Sequence, residues 1–266
     1  MSVRTVKQGT LEYLVADGLS VPHCFTTRLG GVSTGHVASL NLGMNRDSDP
    51  ENVVKNYRIL AAALGFDPDK LVLTRQIHSD IVRTVTRRDA AGFDHRSYPE
   101  CDALITNDPG TALFVFTADC TPVLLHDPVT GAVGAAHAGW RGTVSKIAAK
   151  TALEMMQQFG CRPENIRAAI GPNIGACCFE TDRDVPDAIL GSYGDAARPF
   201  IRKKGDKFYV DLKAVNALCL QEAGITQIEI SDACTACAPD RFWSHRVTRG
   251  LRGSQGAVIV CKEVQP

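Results

Sequence analysis

The sequence predicts an α/β protein built from mixed β-sheets flanked by helices. Apolar residues recur at helical spacing in three stretches, and short β-rich runs bounded by turn residues fill much of the rest. The two kinds alternate in the second half of the chain. The first half instead strings strand runs together like hairpins, which argues against a purely parallel, doubly wound sheet. No repeat, low-complexity tract or Ser/Gly linker divides the 266 residues. One domain over 1–266 is therefore expected, long enough to bury a sizeable core without disulfide staples.

The first helix starts at Asp49-Pro50-Glu51, where proline suits the first turn. It carries Val53, Tyr57, Leu60, Ala61 and Leu64 on one face and stops at Gly65. Strands are expected over 71–74, 81–86, 103–106, 112–117, 122–126 and 132–136. Gly134-Ala135-Ala136 in the last of these implies close approach by a neighbouring backbone. A second helix sets Ala148, Ala152, Met155, Met156 and Phe159 at the same offsets and ends before Gly160, with the methionines as core filler. A strand over 166–170 follows. The third helix opens with Asp211, presents Leu212, Val215, Cys219 and Ala223, and closes at Gly224. Strands over 225–230 and 257–261 complete the pattern.

Lys+Arg and Asp+Glu balance at 29 each. Zero net charge argues against a nucleic-acid partner and against a polybasic membrane-surface protein. The most apolar run, 112–116, is far shorter than the ~20 residues of a membrane helix, and the first ten residues lack the apolar core of a signal peptide. The ten cysteines fall at irregular spacing. In a chain of this length they read as reduced thiols in a cytoplasmic protein, some of them catalytic or metal-bound.

Chemistry concentrates where strands end. Cys120 follows the strand over 112–117, and His137 follows that over 132–136; side chains at the ends of adjacent strands converge in many α/β sites. A Cys and a His together allow either a nucleophilic thiolate with a base or two ligands for a soft metal, while the plain alternative is a buried thiol and a hydrogen-bonded imidazole. His78, in the polar turn Arg75-Gln76-Ile77-His78-Ser79, would make a third ligand and leave a fourth position open. Arg28 beside Gly30-Gly31 suits an anion, or else marks an ordinary glycine turn. The vicinal pair Cys177-Cys178 reads as two small buried apolar residues, and Glu180 as an acid/base group or a surface carboxylate. Cys234-Thr-Ala-Cys237 is one CxxC where a structural zinc site needs two pairs, so packing or inert thiols are expected. Arg241-Phe-Trp-Ser-His-Arg246 could grip a planar anion or form a strand edge with a snorkelling Arg.

Taken together and in order, the segments T-R-x-G-G-V-S (27–33), S-L-N-L-G (39–43), Q-x-H-S (76–79), D-A-L-I-T (102–106), T-A-D-C-x-P-V-L-L (117–125), A-A-H-A-G-W-R-G (135–142), I-G-P-x-I-G-x-C-C-F-E (170–180) and F-W-S-H-R (242–246) give the chain a recognisable identity. It resembles the YfiH-type laccase-domain family, also called copper polyphenol oxidases and described as purine nucleoside phosphorylases. The resemblance implies a zinc or copper ion on His78, Cys120 and His137. It implies phosphorolysis of adenosine, inosine, guanosine and methylthioadenosine together with adenosine deamination. The partners are then a purine nucleoside and phosphate, and the chain a monomer or homodimer. Within the matching motifs Arg28, Asn41, Arg141, Cys177, Ser244 and Arg246 are the expected substrate or phosphate contacts, with Arg28 and Arg141 handling anions. Asp119 and Glu180 join the catalytic set by orienting or protonating the base. The chain departs from the family in its late R-D-G-x-T-G-R-Q segment, where Ser254 stands in place of the arginine before Gln255. Any anion-binding role of that arginine would pass to Arg249 or Arg252. Two alternatives use the same residues: a Cys120-dependent hydrolase of cell-wall precursors, and a copper-dependent phenol oxidase, for which seven histidines are few. A binding protein with a structural metal would need a fourth protein ligand.

Overall fold

The computed structural model describes residues 3–262. Its strands are β1 (Val3–Gln8), β2 (Leu11–Ala16), β3 (His23–Thr26), β4 (Leu71–Leu73), β5 (Val82–Thr84), β6 (Ala103–Thr106), β7 (Ala112–Thr117) and β8 (Thr121–His126). They continue with β9 (Val133–Ala138), β10 (Arg167–Ile170), β11 (Glu180–Thr181), β12 (Ile201–Lys204), β13 (Lys207–Val210), β14 (Gln227–Ile230) and β15 (Gln255–Val260). The α-helices are α1 (Pro50–Leu64), α2 (Trp140–Val144), α3 (Ile147–Phe159), α4 (Asp184–Tyr193), α5 (Leu212–Glu222) and α6 (His245–Thr248). One six-stranded sheet has the order β1-β2-β3-β15-β7-β4, a second β14-β10-β8-β9-β6-β5, and a small third sheet β11-β13-β12. Parallel pairs (β4 with β7, β5 with β6, β10 with β14) sit among antiparallel ones, so the sheets are mixed, as the sequence predicts.

The centre of the second sheet is covered on both faces, which is why β6, β8 and β9 are buried throughout rather than alternating. Leu104, Leu124, Ala135 and Ala169 share a core with Leu113, Val115 and Val258 of the first sheet. Their neighbours Ala103, Ile105, Val123, Leu125 and Ala136 pack with Ala152 and Met155 of α3, Ile189 of α4 and Leu220 of α5. Met155 is the core filler the sequence suggests. The close approach expected at Gly134 is real, but it comes from a helix rather than a backbone: a Cβ there would lie 3.0 Å from Met155 Sδ and 3.2 Å from Thr151 Cγ2. On the first sheet α1 begins where Asp49 accepts a hydrogen bond from Glu51 N–H and ends at Gly65 with φ 71°, a left-handed cap that favours glycine.

Several elements carry no helical or strand period in the sequence. β1 is a mostly exposed edge strand, joined to β2 through Gly9 at φ 59°. The hairpin β12–β13 is mostly polar and turns at Gly205. α4 contains Pro186 and Gly191, both helix breakers by propensity, yet it buries Val185, Pro186, Ile189 and Tyr193 against the second core. Tertiary burial overrides local preference at α4.

Candidate functional site

Between β7 and β8 the chain passes from the first sheet to the second in only three residues, 118–120. Asp119 at the centre has φ 86°, a conformation costly for a residue with a Cβ unless its surroundings hold it. They do so through its carboxylate, which accepts hydrogen bonds from Thr235 Oγ1 at 2.6 Å and Arg246 N–H at 2.7 Å. This turn sets Cys120 at the joint between the sheets. Residue 122, two places on, pairs with His137 of β9. His78 comes from the loop between β4 and β5 and is itself left-handed, at φ 60°.

Asp102, fully buried just before β6, holds that loop in place. Its carboxylate accepts hydrogen bonds from the N–H groups of Ile77, His78 and Ser79 (3.1, 3.1 and 2.7 Å) and from Ser79 Oγ at 2.7 Å. It also lies 2.8 Å from His137 Nδ1, leaving Nε2 of that ring to face the sulfur. One carboxylate therefore orients two of the three expected ligands.

The ligand atoms of His78, Cys120 and His137 all lie within 4.8 Å of one another, with Cys120 Sγ 3.9 Å from His78 Nε2. A tetrahedral zinc ion with bonds of ~2.3 Å to sulfur and ~2.0–2.1 Å to nitrogen places such atoms about 3.5 Å apart. The set therefore fits a zinc-sized ion, and two imidazoles with one thiolate also suit copper. Gly139 completes the cradle: a Cβ there would stand 3.0 Å from His78 Cδ2 and 3.3 Å from Cys120 Sγ. Its backbone is ordinary, so glycine is needed for space rather than for conformation.

The electrostatics of the cluster follow from the same contacts. Burial would push the Cys120 thiol up, but the His137 and His78 imidazoles outweigh it and bring the thiol down to about 6. Burial would lower His137, yet the Cys120 sulfur and the Asp102 carboxylate raise it to about 9. Asp102, despite its own burial, is held down to about 2 by the hydrogen bonds from His137 and Ser79. In the metal-free pair both shifts favour a thiolate beside an imidazolium.

These residues form part of a cavity of about 210 Å³ whose walls include Arg46, Gln76, His95, Phe116, Arg252 and Ser254. Arg252 reaches Gly253 O at 2.9 Å through Nη1, while its Nε is buried without a partner, as is Nδ1 of His95. Burial and the nearby Arg46 guanidinium lower Arg252 to about 10. Gln76 fixes the opposite wall: its amide accepts from Phe116 N–H and donates to Phe116 O. Ser254 and Arg252, two residues earlier, both line the cavity. Arg249 is not part of the wall.

Other expected site residues lie elsewhere. Arg28 stacks 3.7 Å over the Trp243 ring and donates to Pro239 O. The adjoining glycines are dictated by packing, since a Cβ on Gly30 would strike the Leu11 backbone and one on Gly31 would strike Ser39 O. Their N–H groups bond Ser39 Oγ, so this loop is a glycine turn and not an anion cradle. Arg141 is exposed and lies over Trp140. Asn41 is fully buried, its Oδ1 accepting from Gly43 and Ser254 N–H. Ser244 caps α6, and Arg246 donates to Cys178 O and Glu180 O. The exposed Glu180 carboxylate accepts from Tyr209 Oη. Asp119 is committed to the turn just described. Asn41 thus supports Gly43 and Ser254 of the cavity wall and Asp119 sets the turn before Cys120, while the arginines that line the cavity are Arg46 and Arg252 rather than Arg28 or Arg141. Arg46 and His95 carry no local signal, and Asp102 stands in the D-A-L-I-T motif without a stated role; only their convergence across the fold marks them.

Cys177 also lies outside this cavity. It joins Cys178, Cys234 and Cys237 in a second cluster whose sulfurs are all within 4.8 Å of one another. Cys177 is exposed and Cys178 half-buried, so the vicinal pair is not a buried apolar one.

The sequence profile of the multi-copper polyphenol oxidoreductase laccase family matches residues 22–262, and the chain belongs to that family. It is 41% identical over 249 residues to a purine nucleoside phosphorylase of Deinococcus radiodurans, covering 94% of this chain and 92% of the relative. It is 37% identical over 226 residues to the Escherichia coli purine nucleoside phosphorylase YfiH, covering 85% and 88%. The crystal structure of the hypothetical protein YfiH from Bacillus licheniformis superposes with a TM-score of 0.91 at 34% identity, covering 97% of this chain and 99% of that one. That of YlmD from Geobacillus stearothermophilus gives 0.88 at 33% identity, with the same coverage. The architecture is that of the YfiH structures.

Proposed function

We propose that the chain is a metal-dependent purine nucleoside phosphorylase acting on adenosine, inosine, guanosine and methylthioadenosine, with adenosine deamination as a second activity. The observation that carries this reading is one cavity joining a three-ligand His/Cys set to the Arg46 and Arg252 guanidiniums. The names of the relatives supply the reaction class. In this scheme His78, Cys120 and His137 hold zinc, or copper. A bound ion supplies Lewis acidity and a water of lowered pKa for deamination. Arg46 and Arg252 bind the phosphate dianion, a task suited to paired guanidiniums. An oxygen of the monohydrogen phosphate dianion bonds to ribose C1′ as the C1′–N9 bond breaks, and the proton the phosphate gives up ends on the leaving purine. Asp102 holds His137 in one tautomer and fixes the His78 loop, so the site reorganises little during the reaction. The ten free cysteines suit a reducing, cytoplasmic setting.

Phosphate dependence of the kinetics tests the anion site. Arg252→Ala should raise the KM for phosphate about tenfold or more while leaving zinc content unchanged, in line with the loss of charged hydrogen bonds. An unchanged phosphate KM would remove Arg252 from the scheme.

One observation favours a second reading. Cys120 Sγ lies 3.9 Å from His78 Nε2 with His137 beside it, the arrangement of a cysteine nucleophile and its base, so a Cys120-dependent hydrolase of cell-wall precursors uses the same residues without metal. Such an enzyme is killed by thiol alkylation and indifferent to chelators, whereas the phosphorylase loses activity to both. Copper-dependent four-electron oxidation finds less support: among the described residues the other ligand cluster is all cysteine, so no second histidine site adjoins the first.

A further inference from the structure

We propose that Cys177, Cys178, Cys234 and Cys237 form a second metal site, a closed four-thiolate site for a structural zinc ion. The CxxC pair alone does not make such a site, and its missing partners are the vicinal cysteines of a loop more than fifty residues earlier in the chain. Cys237 Sγ lies 3.5 Å from Cys177 Sγ and 3.3 Å from Cys178 Sγ, and all four sulfurs fall within 4.8 Å of one another. A tetrahedral zinc ion with ~2.3 Å bonds sets its sulfurs about 3.8 Å apart, inside this range. The four sulfurs gather round one point rather than forming two separate pairs.

The surroundings are those of a metal–thiolate site. Gly175 N–H donates to Cys234 Sγ at 3.1 Å, a contact that favours the thiolate. A Cβ on Gly175 would lie 3.2 Å from Cys234 Cβ and 3.3 Å from Cys177 Sγ, so glycine keeps the pocket open for the sulfurs. The buried Lys213 ammonium, anchored on Ser231 O and Ala233 O, places a positive charge beside Cys234. Four adjacent thiolates repel one another, and a divalent cation balances them where one lysine does not. Four sulfur ligands leave no open position, which makes the site structural rather than catalytic.

Its place in the fold gives it a task. Among the described residues, the segments carrying the turn of Cys177 and Cys178 and the turn of Cys234 and Cys237 are joined by backbone ahead of the cysteine loop, through the bond from Ser231 N–H to Ile170 O, the bridge between Asn173 and Cys234 and the bond from Thr235 N–H to Asn173 O. Thr235 and Arg246, from the second segment and the helix after it, are the two groups that hold Asp119 in its left-handed turn beside Cys120. An ion between the two turns therefore braces the back of the candidate active site without touching the cavity.

Metal content tests this. Protein purified with reductant and passed over chelating resin should carry two zinc ions per chain by elemental mass spectrometry. Cys237→Ser, at an exposed position, should carry one and melt several degrees lower; Cys120→Ala should also carry one. Cys120→Ala loaded with cobalt should show the intense visible absorption of tetrahedral cobalt–thiolate, which settles the matter even if Cys237→Ser fails to fold. The proposal is overturned if zinc falls to zero in Cys120→Ala with no such absorption. It is equally overturned if iron fills the cluster, or if intact mass shows these cysteines oxidised in pairs.

Discussion

The molecule gathers cysteine in two ways, and the two regions differ in every property that decides reactivity. At the joint between the sheets one sulfur, Cys120, meets two imidazoles on the wall of a cavity, backed by the buried carboxylate of Asp102. At the surface four sulfurs meet one another, backed by a backbone N–H and a lysine. The first arrangement leaves a position open and tunes its groups against each other. The second uses all its ligands to tie two turns together. An equal count of cysteines would not separate them; ligand number, ligand type and the supporting residues do.

Removing one sulfur from each region breaks the comparison most sharply. Cys120→Ala should lower phosphorolysis by about a thousandfold or more with little change in melting temperature, because one partner of a site that acts as a unit is removed. Cys237→Ser should do the reverse, costing stability and only a few-fold in rate. Equal losses of activity in the two variants would show that the regions do not divide as described. Asp102→Asn should come next, with a ten- to hundredfold loss of activity or metal affinity, the usual scale for a carboxylate supporting a histidine ligand. Isothermal titration with zinc reads it directly. Gly139→Ala should cost less, of the order of 1–3 kcal/mol in stability, as expected of an added methyl in a filled site. It should also weaken metal binding, since the added Cβ presses on His78 and Cys120.

The mildest contrast is in thiol reactivity. In metal-stripped protein Cys120 should be alkylated with a midpoint near pH 6, because its thiolate forms as pH rises through about 6. Cys178, raised by burial and by the neighbouring Cys237 and Cys177 thiols, should react only at alkaline pH. Peptide mapping after brief alkylation across this range measures both at once. A shared midpoint would mean that the imidazoles do not set the Cys120 thiol apart.

Legibility in the sequence follows the distance over which residues interact. α1, α3 and α5 are visible because their apolar faces and glycine stops lie within one segment, and the central strands because both faces are buried. β1 and the β12–β13 hairpin are missed because their exposed residues show no apolar alternation, and α4 because Pro186 and Gly191 mask it. The ligand set is recognisable through the resemblance of its motifs, while spacing alone leaves Cys120 and His137 with several readings. Arg46 acquires meaning only where distant loops meet, and it is there that Asp102 and Arg252, present in the sequence only as a motif residue and a replacement arginine, find their partners. Cys177 illustrates the limit best. Its motif suggests a substrate contact, and its neighbours in space, Cys234 and Cys237, are invisible from its neighbours in sequence.

The most direct measurement is product analysis by mass spectrometry after incubation with adenosine, with and without phosphate, for the native chain, Cys120→Ala and Cys237→Ser. The account predicts adenine and ribose 1-phosphate only when phosphate is present, together with some inosine in either condition. Phosphorolysis should be absent in Cys120→Ala and largely kept in Cys237→Ser. Adenosine left unconverted by the native chain, or adenine formed equally without phosphate, would contradict it.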